Sequence, residues 1–313
     1  MTESNASTKR GDISVFMPQT PAKAGQHIID VLIEERCPSF ADHWTWPIIR
    51  LPLLSMLGYF QARKMADHLQ GMGGAPSFDY LAEKLAIKLD LNQFDRIPKT
   101  GRLVIAANHP TGLADGAAVW AALQKVRRDV VFFANADAIR VNPGFEDVLI
   151  PVEWVIEKRS PSKARETLRR AGEAFAQEKC VVIFPSGKLA RMVDGKLWEQ
   201  EWFSSVVSMA RKQKAPILPL NIDARNSALY YWLSKTNGEL RDITLFRELL
   251  NKKGDLFKMT AGPLIGPDQL SGDVKAITEA LREYVSYTLN SASQDATFHL
   301  PAPEVQSPSE AAE

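Results

Sequence analysis

Residues 103–116 read Leu103-Val-Ile-Ala-Ala-Asn-His-Pro-Thr-Gly-Leu-Ala-Asp-Gly116. The five apolar residues at the start predict a short strand that is buried on both faces, as in parallel sheets. The residue before a proline is held in extended backbone, so we expect His109 at the strand's end and not in a helix. Gly112 indicates a turn, and the alanine-rich run from residue 113 predicts a helix.

Strand and helix patterns alternate along the rest of the chain. Alternating polar and apolar residues predict a strand at residues 88–94, and apolar runs predict strands at 130–133, 181–184, 217–222 and 256–261, and a strand or loop at 150–156. Helices are predicted over residues 26–37, 77–86, 162–177, 203–212, 228–234, 245–250 and 274–289. This order predicts an α/β fold with a largely parallel central sheet flanked by helices. Pro219 lies inside one of the apolar runs, which indicates a sheet edge or a bulge there.

The chain divides into four regions. Residues 1–25 and 291–313 lack hydrophobic periodicity and are expected to be disordered. Residues 26–75 predict an N-terminal helical, partly apolar segment, and residues 76–290 predict the α/β domain. Residues 44–60 are the most apolar stretch but are too short to cross a bilayer. Their terminal aromatic residues fit a segment at a membrane surface, and they equally fit a helix buried against the domain.

The composition is that of an ordinary globular protein with an ample core: 313 residues, 45% hydrophobic and 24% charged. A net charge of +1 gives no reason to expect nucleic acid as a partner. The two cysteines, Cys37 and Cys180, are far apart and match no metal-site spacing, which favours a reducing, cytoplasmic setting. Without a cysteine/histidine cluster or a dinucleotide-binding glycine motif, we expect neither a metal nor a redox cofactor.

His109 and Asp115 are the first candidate catalytic pair. Six positions apart, they would lie on different faces of one continuous helix, but the intervening turn lets Asp115 point back toward the imidazole. Such an acid fixes the tautomer of a basic histidine and stabilises its charge. No serine or cysteine stands beside them, so the pair predicts a base that acts on a substrate hydroxyl. The alternative is structural: an acid favoured at a helix N-terminus, and a histidine bonded to backbone.

A second candidate site follows the strand at residues 181–184 and reads Phe184-Pro-Ser-Gly-Lys-Leu-Ala-Arg191. Ligands of open α/β sheets gather at the carboxyl ends of the strands, where both this stretch and His109 are expected. Backbone N–H groups around Gly187, with the cations Lys188 and Arg191, would suit a phosphate group. The alternative is a turn with solvated cations.

Four motifs in fixed order, over roughly residues 85–265, resemble the glycerolipid (lysophospholipid) acyltransferases, most nearly a hemolysin-like bacterial branch. They are Asn108-His109 with Asp115, residues 150–159, Phe184 to Lys188, and Pro216-Ile-Leu-Pro219. The His109–Asp115 spacing is one residue longer than usual, which agrees with that branch. Ser186 replaces the glutamate of the third motif, and Leu189 stands where the family has arginine.

The resemblance implies transfer of a fatty acyl group from an acyl-thioester, acyl carrier protein or acyl-CoA, to a lysolipid hydroxyl. The expected acceptor is 1-acyl-glycerol-3-phosphate, with another lysolipid or an amino-acid lysolipid as alternatives that would use the same base. The resemblance also implies that His109 is the base and that Asp115 orients it. Backbone N–H groups near Gly112 or Gly187 would stabilise the oxyanion. It implies a membrane surface as a partner, at the inner face of the cell membrane, and no cofactor beyond the acyl donor.

The resemblance also implies a set of substrate-binding residues: Asn108, Thr111, Gly112, Arg159, Ser186, Gly187, Lys188 and Arg191. The cations among them would bind an anionic head group. Two alternatives stay open: a non-catalytic lipid- or anion-binding protein of the same fold, and an acyl-ester hydrolase. The hydrolase is disfavoured because a Gly-x-Ser-x-Gly motif is lacking.

Overall fold

The computed structural model describes residues 13–17, 25–153, 155–289 and 297–300. The strands are β1 (Lys88–Asn92), β2 (Leu103–Ala107), β3 (Val130–Asn135), β4 (Leu149–Val152), β5 (Cys180–Ile183), β6 (Arg191–Val193), β7 (Lys196–Trp198), β8 (Ile217–Asp223) and β9 (Leu256–Ala261). The helices are α1 (Ile28–Arg36), α2 (Pro38–Ala41), α3 (Trp46–Met56), α4 (Tyr59–Leu69), α5 (Gly74–Leu85), α6 (Leu113–Leu123), α7 (Asp137–Val141), α8 (Pro161–Ala176), α9 (Ser205–Gln213), α10 (Ala228–Thr236), α11 (Gly238–Ile243), α12 (Leu245–Asn251) and α13 (Val274–Glu283).

Seven strands form one sheet in the order β1-β9-β8-β2-β5-β3-β4. The central strand β2 runs parallel to both of its neighbours, β8 and β5, and β3 and β4 continue the same direction. Only the β8–β9 pairing is antiparallel within this sheet. The predicted α/β fold with a largely parallel, helix-flanked central sheet is therefore confirmed.

Strand β2 is buried along its whole length because helices cover both faces of the sheet. Leu103, Ile105 and Ala107 belong to one core cluster, with Trp120 of α6 and Phe132 of β3. Val104 and Ala106 belong to the cluster on the opposite face, with the side chains of α8, α9 and α13. Because the side chains of β2 pack alternately into both core clusters, the position of the strand is fixed. The residues that follow β2 therefore begin at a defined position.

Pro219 lies in β8, an interior strand, so the sheet-edge interpretation is wrong and the bulge interpretation holds. Leu220 pairs with Ala261, and Ile217 pairs with Ile265. Between these two pairs, β8 has two residues and the returning chain has three. Pro219 is one of the two residues of β8. The ladder is interrupted there, which removes the need for the N–H group that proline lacks.

The N-terminal helices pack on the domain through one face. Trp46 and Leu54 of α3 are buried with Ile29 and Ile33 of α1. The opposite side of α3 and its flanks exposes large apolar side chains: Trp44 (78%), Ile48 (69%), Leu51 (56%), Met56 (79%) and Phe60 (57%). One face of the apolar segment at residues 44–60 is therefore buried against neighbouring helices, and the other face is exposed. Its contact with a membrane surface stays a prediction. Among the described residues, no helix combines the length and apolar character needed to cross a membrane.

Two short pieces of the ends that were predicted to be disordered are among the described residues. Ile13–Phe16 form a turn of 3-10 helix, and Phe16 is buried. Near the other end, the Phe298 ring packs edge-on against Tyr284, with ring centroids 5.3 Å apart. In both places an apolar ring fixes the chain. Most of residues 1–25 and 291–313 lies outside the described residues.

Candidate active site

His109 and Asp115 lie face to face at the carboxyl end of β2. The His109 Nδ1 atom is 2.9 Å from Asp115 Oδ2. The Asp115 side chain is fully buried, whereas 17% of the His109 side chain is exposed. The turn between β2 and α6 therefore creates the predicted contact, and a base at this point has access to solvent on one side.

The Asp115 carboxylate is surrounded by hydrogen-bond donors. Its Oδ2 accepts the backbone N–H groups of Thr111 and Gly112, each at 2.9 Å, and the Thr111 hydroxyl donates to Oδ1. Facing an oxygen that only accepts, His109 Nδ1 must donate, which leaves the lone pair of a neutral imidazole on Nε2. Asp115 thus serves both interpretations, because it caps the first turn of α6 and also orients the imidazole.

The imidazole is held on its flat side as well. The Phe184 ring, at the end of the neighbouring strand β5, stacks on it with centroids 4.2 Å apart and an interplanar angle of 21°. Gly112 makes the turn possible, since its φ of 83° lies in the region that favours glycine. A Cβ at position 112 would also lie 3.0 Å from the Leu189 side chain.

Three predicted substrate-binding side chains make bonds within the protein. The Asn108 amide joins β2 to β8, donating to the Ile222 carbonyl at 2.9 Å and accepting the Ile222 N–H at 2.7 Å. The Thr111 hydroxyl is engaged by Asp115, and the Ser186 hydroxyl donates to the Lys188 carbonyl at 2.8 Å. All three are buried and shape the site from within. Their contact with substrate remains a prediction.

The loop after β5 lies directly against His109. The N–H of Ala190 donates to the His109 carbonyl at 2.9 Å, so the loop runs alongside the end of β2. Lys188 and Arg191 are exposed on this loop and on β6, respectively. The predicted closeness of this loop to His109 is therefore present, because parallel neighbouring strands end at the same edge of the sheet, and the loop's role in binding stays a prediction.

Arg159 approaches the same edge from the other side. Its Nε donates to the Glu153 carbonyl at 3.2 Å, and its guanidinium carbon lies 5.9 Å from the centre of the Phe203 ring. The N–H of Phe203 in turn donates to the Pro185 carbonyl at 3.0 Å. Arg159 is thus connected to the loop after β5 through one aromatic residue.

The expected oxyanion donors at Gly112 and Gly187 are already engaged. The Gly112 N–H donates to Asp115 Oδ2, and the Gly187 N–H donates to the Phe184 carbonyl at 3.0 Å. Each of these two N–H groups closes a tight turn, and the expectation that backbone N–H groups near Gly112 or Gly187 stabilise an oxyanion stays a prediction.

Glu199 is a residue at the site that the sequence analysis missed. It is 3% exposed, its Oε2 accepts the backbone N–H of His109 at 3.2 Å, and its Oε1 accepts the indole N–H of Trp202 at 3.0 Å. Burial raises the pKa of the Glu199 carboxyl. No motif contains this residue, and its neighbours Gln200 and Glu201 are typical of a solvated loop. Within the described ranges, no group of three or more histidine, cysteine or carboxylate side chains is placed to hold a metal ion.

A family model and two relatives point in the same direction as the motifs. A family model described as Acyltransferase matches residues 88–223. A lyso-glycine lipid O-acyltransferase of Phocaeicola vulgatus is 24% identical over 195 residues, 60% of this chain and 68% of that protein. A lyso-glycine lipid O-acyltransferase of Bacteroides thetaiotaomicron is 22% identical over 161 residues, 51% of this chain and 57% of that protein. The crystal structure of the 1-acyl-sn-glycerophosphate acyltransferase PlsC of Thermotoga maritima aligns with a TM-score of 0.45 at 15% identity, covering 84% of this chain and 97% of that one.

Proposed function

We propose that this chain, which belongs to the lysophospholipid acyltransferase family, moves a fatty acyl group from an acyl-thioester to a lysolipid hydroxyl with His109 as general base. The observation that carries this mechanism is the 2.9 Å contact between His109 Nδ1 and Asp115 Oδ2. It leaves Nε2 as the basic atom, and no residue in the described parts of the chain bonds Nε2.

The reaction proceeds by direct transfer. His109 Nε2 takes the proton of the acceptor hydroxyl as its oxygen attacks the thioester carbonyl, which forms a tetrahedral intermediate. The carbon–sulfur bond then breaks, and the leaving thiolate receives the proton from the imidazolium. The Asp115 carboxylate stabilises the imidazolium while the proton is in transit. A general base of this kind contributes about 10²- to 10⁴-fold in rate.

The acceptor that we propose is an amino-acid lysolipid, ahead of 1-acyl-glycerol-3-phosphate. Both relatives described above are named for a lyso-glycine lipid. Leu189, at the third-motif position where the family has arginine, lies against Gly112 instead of offering a charge. A phosphate monoester carries about −1.5 to −2 charge at pH 7 and needs more fixed cations than a single carboxylate. Lys188 and Arg191 are the exposed cations for that carboxylate.

The donor that we propose is acyl carrier protein or acyl-CoA. Both present the acyl group as a thioester and both carry negative charge, which suits the exposed cations Arg159, Lys188 and Arg191. The two donors are distinguished by the rate of acyl transfer from each, which is measured with labelled acyl carrier protein and with labelled acyl-CoA.

A bilayer surface is the third partner that we propose. The apolar face of α3 and its flanks exposes five large side chains: Trp44, Ile48, Leu51, Met56 and Phe60. The cations Arg63 and Lys64 are exposed on α4, next in the chain, where they suit anionic head groups. A water-insoluble acceptor has to be reached at such a surface.

Two variants test this surface. Changing Ile48 and Met56 together to glutamate is expected to abolish sedimentation with anionic vesicles. The control is Leu168→Glu on α8, which is also exposed, at 61%, but lies outside the α3 face. Equal vesicle binding by the double variant and the control would remove the bilayer from the proposal.

The function itself is tested with the purified chain and a labelled acyl donor. Labelled acyl carrier protein and labelled acyl-CoA are each offered a lyso-amino-acid lipid, lysophosphatidic acid, or no acceptor. We expect a diacyl product, formed fastest with the lyso-amino-acid lipid. Free fatty acid as the main product would indicate a hydrolase, and lipid binding without turnover would indicate a binding protein. Either outcome contradicts the proposal.

A further inference from the structure

Asn226 is a buried residue to which the proposed mechanism assigns no role. It is 7% exposed, and both polar atoms of its side chain, Oδ1 and Nδ2, are shielded from solvent without a hydrogen-bond partner among the described residues. Buried polar groups are normally bonded, because an unbonded one destabilises the folded protein. An amide that neither donates nor accepts is therefore a candidate for contact with a ligand.

Asn226 lies at the same edge of the sheet as His109. Strands β2 and β8 are parallel neighbours, so both end at this edge. The Asn108 side chain joins the two strand ends through its bonds to Ile222, and Asn226 follows four residues later. Helix α10, which begins two residues after Asn226, contacts β6 at the far side of the loop that lies against His109. The segment that contains Asn226 therefore borders the site on the β8 side.

The main chain around Asn226 is held by its neighbours. The Asn226 N–H donates to the Tyr231 hydroxyl at 3.1 Å, and Ser227 donates its N–H and its hydroxyl to the buried Glu248 carboxylate at 2.7 and 2.6 Å. Burial and, to a smaller extent, the charge of Asp115 raise the pKa of Tyr231, so this tyrosine lies within electrostatic reach of the site. The backbone at position 226 is thus fixed, whereas the side-chain amide can turn toward a ligand without breaking a hydrogen bond.

Another asparagine of this protein shows how such an amide binds an amino acid. Asn108 Oδ1 accepts the Ile222 N–H at 2.7 Å, and Nδ2 donates to the carbonyl of the same residue at 2.9 Å. The head group of an amino-acid lysolipid offers the same pair of groups. Its nitrogen, joined to the fatty chain as an amide, keeps one N–H, and its carboxylate supplies an acceptor oxygen. Lysophosphatidic acid has no N–H group to offer.

We propose that Asn226 is a specificity-determining residue that binds the N–H and the carboxylate of an amino-acid head group. This inference rests on the proposed function, because the hydroxyl of the same lipid has to reach His109. Both atoms of the amide then have a partner, which offsets their unbonded state in the free protein. Lys188 and Arg191 are the exposed cations for the charge of the same carboxylate. A lysolipid without an N–H leaves Asn226 Oδ1 unbonded and is disfavoured.

The test is a cycle of two acceptors and two proteins. The acceptors are a lysolipid with a glycine head group and its ester analogue, in which an oxygen atom replaces the N–H group. We expect the wild type to prefer the amide by about 10- to 100-fold in kcat/KM, because the ester gives Oδ1 no donor. In Asn226→Leu, which is close in shape and has no polar atom, the preference falls to about one. Equal use of both acceptors by the wild type, or an unchanged preference in Asn226→Leu, would overturn the inference.

Asn237→Leu, at the other end of α10, is the matched control. Asn237 Oδ1 accepts the Leu240 N–H at 2.9 Å, so its loss removes the cap of α11 and is expected to lower the melting temperature without changing the preference for the amide. Asn226→Leu is expected to keep or raise the melting temperature, because its amide has no bond to lose. A fall as large as that of the control would indicate a structural amide and contradict the inference. Asn226→Ala gives a second reading if the leucine variant does not fold.

Binding in the absence of an acyl donor separates this inference from the proposed function. The affinities of the amide lysolipid and the ester analogue are measured by calorimetry in detergent micelles, for the wild type and for Asn226→Leu. A preference for the amide that depends on Asn226, with no acyl product when donor is added, would remove the proposed function and leave the head-group site. Acyl transfer at equal rates to both acceptors would overturn the head-group site and leave the proposed function.

Discussion

Asp115→Asn probes the site with little change in shape. The Oδ2 position accepts two backbone N–H groups, from Thr111 and Gly112, besides His109 Nδ1. Asparagine must therefore place its carbonyl oxygen there, and its NH₂ group faces the Thr111 hydroxyl, which can accept a hydrogen bond. The turn and the tautomer of His109 are expected to survive, and only the negative charge is lost.

The size of the effect follows from that difference. A hydrogen bond to a charged group contributes about 1.5–3 kcal/mol. At 1.36 kcal/mol per tenfold change in rate, its loss corresponds to a fall in kcat of about 10- to 150-fold. This is smaller than the roughly 10⁴-fold measured when an aspartate-to-asparagine change also imposes the wrong tautomer in a serine protease.

The assay is the steady-state rate of labelled acyl transfer at saturating donor and acceptor. Asp115→Ala is the matched comparison, because it leaves the buried N–H groups of Thr111 and Gly112 without an acceptor. We expect it to lose stability as well, by about 1–3 kcal/mol for each unsatisfied group. An asparagine variant with the full wild-type rate, or with no detectable rate in a folded protein, would contradict the role of Asp115 as the charge that stabilises the imidazolium.

Three further predictions concern stability and reactivity. Gly112→Ala is expected to lower the free energy of unfolding by about 1–3 kcal/mol in urea titrations, because of its positive φ. Gly116 lies inside α6, where an added Cβ would make only ordinary van der Waals contact, so Gly116→Ala is expected to raise the free energy of unfolding by about 0.5–1 kcal/mol. A change of the same sign in both variants would contradict the turn geometry. Because burial raises the pKa of Glu199, the wild type must keep a proton that its unfolded chain releases above about pH 4.5. Its free energy of unfolding should therefore fall relative to Glu199→Gln by up to about 1.4 kcal/mol per pH unit as pH rises toward the folded-state pKa; a pH-independent difference between the two in thermal denaturation would be inconsistent with a raised pKa of Glu199. Burial raises the pKa of Cys37 to about 11 and that of Cys180 to about 12, so neither thiol should react with iodoacetamide at pH 8 until the protein unfolds; rapid labelling of the native protein would contradict their burial.

The sequence was informative where neighbours in the chain determine the geometry. The apolar run of β2, the proline after His109 and the glycine at position 112 together predict strand, turn and helix, and these bring His109 to Asp115. The adjacency of β2 and β5 follows from the general rule that ligand sites collect at the carboxyl ends of parallel strands. Both predictions use local patterns or a property that all such sheets share.

The remaining features depend on packing between distant parts of the chain. Glu199 reaches His109 only because the β6–β7 hairpin folds back on the end of β2, and no periodicity encodes that path. The engaged N–H group of Gly112 depends on the exact backbone angles of the turn, which a pattern of residue types does not specify. The two faces of α3 could not be separated either, because apolar residues occur on both.

The most direct test of the account is the rate of acyl transfer by His109→Ala, measured beside its association with anionic vesicles. We expect a fall in transfer of about 10²- to 10⁴-fold, with vesicle association and thermal stability close to those of the wild type. A His109→Ala protein that transfers acyl groups at the wild-type rate would contradict the central claim that His109 is the base.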